Sequence, residues 1–102
     1  MTRVAIYDDN KARLDSLRTF ILLSPELEHA GCFENCSNIL EEVAEIQPDL
    51  ILMDIEMPGV NGIEGVRLVK QNFPEIKIIM QTAFEDDDKV FVQLKKKTSL
   101  IL

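Results

Sequence analysis

The stretch Asp49-Leu50-Ile51-Leu52-Met53-Asp54-Ile55-Glu56-Met57-Pro58, continued by Gly59-Val60-Asn61-Gly62, decides how this chain folds. Residues 50–53 form an unbroken apolar run, the pattern of a strand buried on both faces, as central parallel strands are. The run stops at Asp54, and Pro58, Gly59 and Gly62 then turn the backbone into a loop. Open α/β sheets gather their ligands at the carboxyl ends of the strands, so Asp54 stands where chemistry is expected. A lone desolvated carboxylate is unfavourable and demands a partner, such as a metal ion or an ammonium group.

Working outward, the chain alternates strand and helix. Residues 3–7, with β-branched Val4 and Ile6, read as a strand that stops at Asp8-Asp9-Asn10. Either Asp9 or Asn10 can cap the next helix. Leu14, Leu17 and Ile21 recur at helical spacing there, with Phe20 and Leu23 widening the stripe, and Ser24-Pro25 ends it. Residues 29–33 are a weaker strand candidate, expected at a sheet edge. Ser37 or Asn38 then opens a second helix with Ile39, Leu40, Val43 and Ala44 on one face, stopped before Pro48.

Beyond the central stretch, a third helix is expected over 62–72, burying Ile63, Val66 and Val69 and ending at Pro74. Residues 77–81 form a fourth strand, doubly buried at Ile78-Ile79-Met80 and followed by Thr82-Ala83. An acidic run over 85–88 leads into a helix carrying Val90, Phe91 and Leu94. Strand-helix alternation with short loops means parallel strands and right-handed crossovers, an open doubly wound sheet.

At 102 residues the chain is expected to be one domain. Eighteen acidic residues against eleven basic ones give a net charge of −7, which argues against direct grip on nucleic acid phosphates or an anionic membrane. No apolar run approaches a membrane span and the amino terminus lacks a signal-peptide core, so the cytoplasm is the expected compartment. Cys32 and Cys36, with His29 the single histidine, make neither a disulfide framework nor a zinc site and read as ordinary thiols.

In a doubly wound sheet one edge collects Asp8 and Asp9 from the first strand, Asp54 from the third and Thr82 from the fourth. Three crowded carboxylates repel unless a cation intervenes, and hard oxygen ligands without His or Cys select Mg²⁺ or Mn²⁺. Such a site suits phosphoryl transfer: the metal neutralises phosphoryl oxygens while a carboxylate attacks. Thr82 can donate a hydrogen bond to one of those oxygens and a lysine can hold another by charge. Plainer roles compete. Asp8-Asp9 can serve only as a helix cap, worth about 1 kcal/mol. Residues 86–88 fit a helix amino terminus through its dipole, His29 an edge-strand position, and residues 95–97 a solvated lysine run.

Together, Asp8-Asp9 after the first strand, Asp54-x-x-Met57-Pro58 with Gly62 after the third, and Thr82-Ala83 after the fourth resemble a response-regulator receiver domain of two-component signalling. The resemblance runs to about Leu94. It implies a flavodoxin-like (βα)5 fold with strand order 2-1-3-4-5, and Asp54 as acceptor of a phosphoryl group from a histidine kinase's phosphohistidine. Asp9 and Asp54 would then hold Mg²⁺ directly, Asp8 largely through water, and Glu56 through its backbone carbonyl. Thr82 would be the switch hydroxyl. Lys96-Lys97-Thr98-Ser99 resembles the family's last motif, which points to Lys96, or alternatively Lys97, as the phosphate-contacting lysine. The implied partners are the kinase, a carboxyl-terminal effector domain, DNA-binding by analogy, and a second copy in a homodimer.

The tail departs from that pattern. Residues 93–102 pass from helix to strand without a turn and lack Gly, so the fifth strand and final helix are expected to be truncated or missing, leaving 1–102 an incomplete receiver domain. The rival functions are an Mg²⁺-dependent aspartyl-phosphate phosphatase of the haloacid-dehalogenase type and a truncated binding or dimerisation module. The phosphatase resembles an Asp-x-Asp pattern after its first strand, whereas here the acid pair and Asp54 belong to different strands and position 56 is Glu.

Overall fold

A computed structural model describes residues 1–54 and 62–81. Strands β1 (Thr2–Tyr7), β2 (Leu27–Phe33), β3 (Leu50–Asp54) and β4 (Lys77–Gln81) pair in parallel in the order β2-β1-β3-β4. Helices α1 (Lys11–Leu23), α2 (Ile39–Ile46) and α3 (Gly62–Asn72) make the crossovers. This is the flavodoxin-like order expected, through its fourth strand. The tail beyond residue 81, with the helix expected around Val90 and Phe91, lies outside the described residues.

Side chains alternate between the faces of a strand, and the apolar runs use both. Val4, Ile6, Leu50, Leu52 and Ile79 face one way and pack with Leu14, Leu17 and Ile21 of α1. Ala5, Tyr7, Ile51, Met53 and Ile78 face the other and pack with Ile39 and Val43 of α2 and Val66 and Val69 of α3. Each fully buried side chain of this size contributes about 1.5–3 kcal/mol. A run apolar at every position is stable only where helices cover both faces, and that requirement holds β1 and β3 in the middle of the sheet.

The helix ends are set locally. Asn10, not Asp9, caps α1: its Oδ1 accepts the Arg13 backbone N–H at 3.0 Å. At the other end the Ser24 hydroxyl donates to the Phe20 carbonyl at 2.7 Å. Asn38 opens α2 without a side-chain cap bond, and Gln47 closes it in the left-handed region, φ 49°, its N–H bonded to the Val43 carbonyl. β2 starts at Leu27, two residues earlier than expected, at the sheet edge. Its register against β1 slips by one residue between Val4 and Ala5. Both cysteines are free thiols, Cys36 buried and Cys32 half-buried.

Three residues expected on apolar faces are exposed, Ala44 of α2 among them. Leu23 is 79% exposed and Ile63 62% exposed. Leu23 lies two residues beyond buried Ile21, about 200° around the helix, so it points away from the sheet. Ile63 stands in the same relation to Gly65, the residue α3 presents to the core beside Val66 and Val69. A Cβ on Gly65 would meet Cys36 Sγ at 2.8 Å and Met53 Cε at 3.3 Å. The closest approach of α3 is thus made by its smallest residue. Among the described residues no helix is long and apolar enough to cross a membrane.

Candidate functional site

Tyr7 and Met53 are partners across β1 and β3, so the residues that follow them, Asp8 and Asp54, stand side by side at the carboxyl edge of the sheet. With Asp9 they offer carboxylate oxygens that lie within 4.8 Å of one another. Asp8 is fully buried and Asp54 is 3% exposed, while Asp9 faces solvent. Asp8 is fixed on both sides. Its N–H donates to the Phe33 carbonyl at 3.0 Å, and its Oδ1 accepts the Asn10 N–H at 2.8 Å in a tight local turn. The same Asn10 caps α1, so the acid pair is not needed as the cap.

Arg13 reaches into this cluster. Its Nη1 lies 3.2 Å from Asp8 Oδ2 and 3.7 Å from Asp54 Oδ2. Sequence reasoning passed over it. The signal available was its place in the first turn of a helix with no acidic residue there, where the helix dipole disfavours a cation. Asn10 holds the Arg13 backbone at that position, and the acids beside it compensate.

Beneath the acids, Tyr7 and Cys36 are held in their neutral forms. The buried Tyr7 hydroxyl donates to Glu42 Oε1 at 3.0 Å, and its ring stacks on Phe33 with centroids 4.9 Å apart. Burial first, then the Glu42 charge, pushes the phenol's pKa up, so Tyr7 stays protonated. Cys36 Sγ approaches Met53 Sδ at 3.6 Å. Burial, and then the charges of Glu42 and Asp54, push its pKa up to about 12. A thiol held neutral is a poor nucleophile and a poor metal ligand. The donors at the sheet edge are therefore carboxylate oxygens, a set that fits Mg²⁺ or Mn²⁺ and not a soft metal. Asp8, Asp9 and Asp54 are brought together as the sequence suggested. Glu56, Thr82, Lys96 and Lys97 lie outside the described residues, and β4 reaches Gln81, the register partner of Asp54.

Residues 4–101 match the profile of the response regulator receiver domain. The chain belongs to this family. Among relatives of this receiver domain, transcriptional regulatory protein LnrK of Bacillus subtilis (strain 168) is 32% identical over 99 residues, covering 97% of this chain and 45% of LnrK. Transcriptional regulatory protein LiaR of the same organism is 36% identical over 91 residues, covering 89% and 43%. The chain thus spans less than half the length of these relatives. The response regulator domain of Thermotoga maritima CheB superposes with a TM-score of 0.78 at 27% identity, covering 98% of this chain and 75% of that one.

Proposed function

We propose that this receiver domain is a phosphorylation-dependent switch in which Asp54 accepts a phosphoryl group from the phosphohistidine of a histidine kinase. The observation that carries this reading is the convergence of Asp8, Asp9 and Asp54 within 4.8 Å at the carboxyl edge of the sheet, in a chain of the receiver family. An Asp54 carboxylate oxygen attacks phosphorus, an O–P bond forms, and the P–N bond to the kinase imidazole breaks. The imidazole nitrogen keeps the electron pair and takes up a proton from solvent. The product is a mixed anhydride on Asp54, and water later hydrolyses it. The chain is thus a switch with self-phosphorylating chemistry rather than a turnover enzyme.

Asp8, Asp9, Asp54 and the Glu56 carbonyl are the proposed holders of Mg²⁺, or Mn²⁺ in its place. When bound, the ion neutralises negative charge on the phosphoryl oxygens. Burial of Asp8 and Asp54 supports this division of labour, because a low-dielectric site strengthens every charge interaction inside it. Thr82 is the proposed switch hydroxyl, and Lys96, or Lys97, the proposed phosphate-contacting lysine. Several relatives are named as transcriptional regulatory proteins, which supports an output through a DNA-binding domain, with homodimer formation as the coupled change and the cytoplasm as the compartment.

The test is stoichiometric labelling with acetyl phosphate and Mg²⁺, read by intact mass. Wild type is expected to gain about one phosphoryl group per chain, and Asp54→Asn or chelation of the metal to abolish the gain. Equal labelling of Asp54→Asn, or catalytic release of phosphate from small esters, would sink the proposal.

A further inference from the structure

Three carboxylates within 4.8 Å of one another repel unless positive charge sits among them. The chain supplies such a charge itself, because Arg13 Nη1 lies 3.2 Å from Asp8 Oδ2 and 3.7 Å from Asp54 Oδ2. The Arg13 side chain keeps 20% exposure, against 0% and 4% for its two partners, so it reaches the acids from the solvent side and has a way out. Its backbone has none, since the Asn10 cap bonds its N–H. The guanidinium thus has an open path to solvent, whereas Asp8 is held by its backbone and side-chain bonds.

We propose that Arg13 is a resident counter-ion of the acidic site, and that a divalent cation binds there only as the guanidinium swings away. This rests on the Mg²⁺ site proposed above. A guanidinium spanning Asp8 and Asp54 and a cation held by the same acids draw on the same oxygen lone pairs, and like charges do not share them. Without metal the pair shields the fold from carboxylate repulsion. With metal, the cost of breaking the pair is subtracted from the ion's binding energy. Arg13 thereby sets how much Mg²⁺ the switch needs, and it ties the release of a positively charged side chain to loading of the site.

Isothermal titration of Mg²⁺ into the intact protein tests this, with Arg13→Met and Arg13→Lys beside wild type. Arg13→Met is expected to bind Mg²⁺ about tenfold tighter, equivalent to about 1.4 kcal/mol. Arg13→Lys, which keeps the charge, stays within roughly threefold of wild type. In metal-free buffer Arg13→Met melts below wild type and gains more on adding Mg²⁺. A purely structural ion pair would lower Tm equally with and without the ion. Should Arg13→Met not fold without metal, the Arg13 Nε–Hε resonance of wild type gives the answer, moving in step with metal occupancy if the guanidinium is displaced. Equal or weaker Mg²⁺ affinity in Arg13→Met, or an unmoved resonance at saturation, overturns the inference while leaving the metal site standing. Failure of both wild type and Arg13→Met to bind Mg²⁺ overturns the metal site and this inference with it.

Discussion

His29 shows how one residue couples this fold to pH. It lies in edge strand β2, paired with Val4, and its Nε2 is buried with no hydrogen-bond partner among the described residues. Burial, and then the positive charge of Arg18 on α1, lowers its pKa below the ordinary histidine value. The unfolded chain therefore takes up a proton at a higher pH than the folded chain. Stability contributed by neutral His29 is present above the unfolded pKa and is lost as pH falls from there through the lower folded pKa. Between about pH 7 and pH 5, the urea midpoint of wild type is expected to fall further than that of His29→Gln. Parallel curves would show that the imidazole is as free to charge in the fold as in water. At the same scale the site is unevenly legible. The acids were found because carboxylates at strand ends are conspicuous in sequence. Arg13 was not, because a basic residue in a helix reads as solvated until a neighbouring strand brings Asp54 beside it.

At the scale of elements, the contact between α3 and the segment before α2 turns on Gly65 and Cys36. Gly65→Ala gains about 1 kcal/mol of helix propensity but pushes a Cβ into a buried sulfur, an overpacking cost of about 1–3 kcal/mol. Cys36 is a short, enclosed side chain with little freedom to yield, so the balance is expected to be a net loss of about 1 kcal/mol in urea unfolding. In a Cys36→Ala background the same substitution should become neutral or stabilising, a coupling readable from the double-mutant cycle. An unchanged cost would mean that the two do not meet. This contact also explains why Ile63 was misplaced. A stripe drawn through the largest apolar residues assumes that bulk marks the buried face, whereas close helix packing selects the smallest residue. Element boundaries were more legible: α3 and β4 fall where Gly62, Pro74 and the Ile78-Ile79 run put them. β2, mixed in character, began two residues earlier than its sequence suggested, because pairing with β1 and not its own composition defines it.

At the scale of the whole molecule, the described residues form a sheet with two separate apolar layers, α1 on one face and α2 with α3 on the other. Ile21→Val in the first layer and Ile39→Val in the second should each cost about 0.5–1.5 kcal/mol. Because the sheet stands between them, their effects should add to within about 0.5 kcal/mol. A larger coupling energy would indicate that the layers respond as one. Alternating strands and helices, buried central runs and short loops were enough to read the parallel, doubly wound architecture and its acidic edge from the chain alone, since periodicity and strand-end chemistry are local properties. The register that sets Tyr7 against Met53, and so Asp8 beside Asp54, belongs to pairing between segments more than forty residues apart. Packing of the helices on the sheet decided in turn that Gly65 meets Cys36 and that Arg13 answers the charge of the acids. Local sequence can nominate a carboxylate for a site, but distance to its neighbours, and therefore its electrostatics, exists only once the strands are joined.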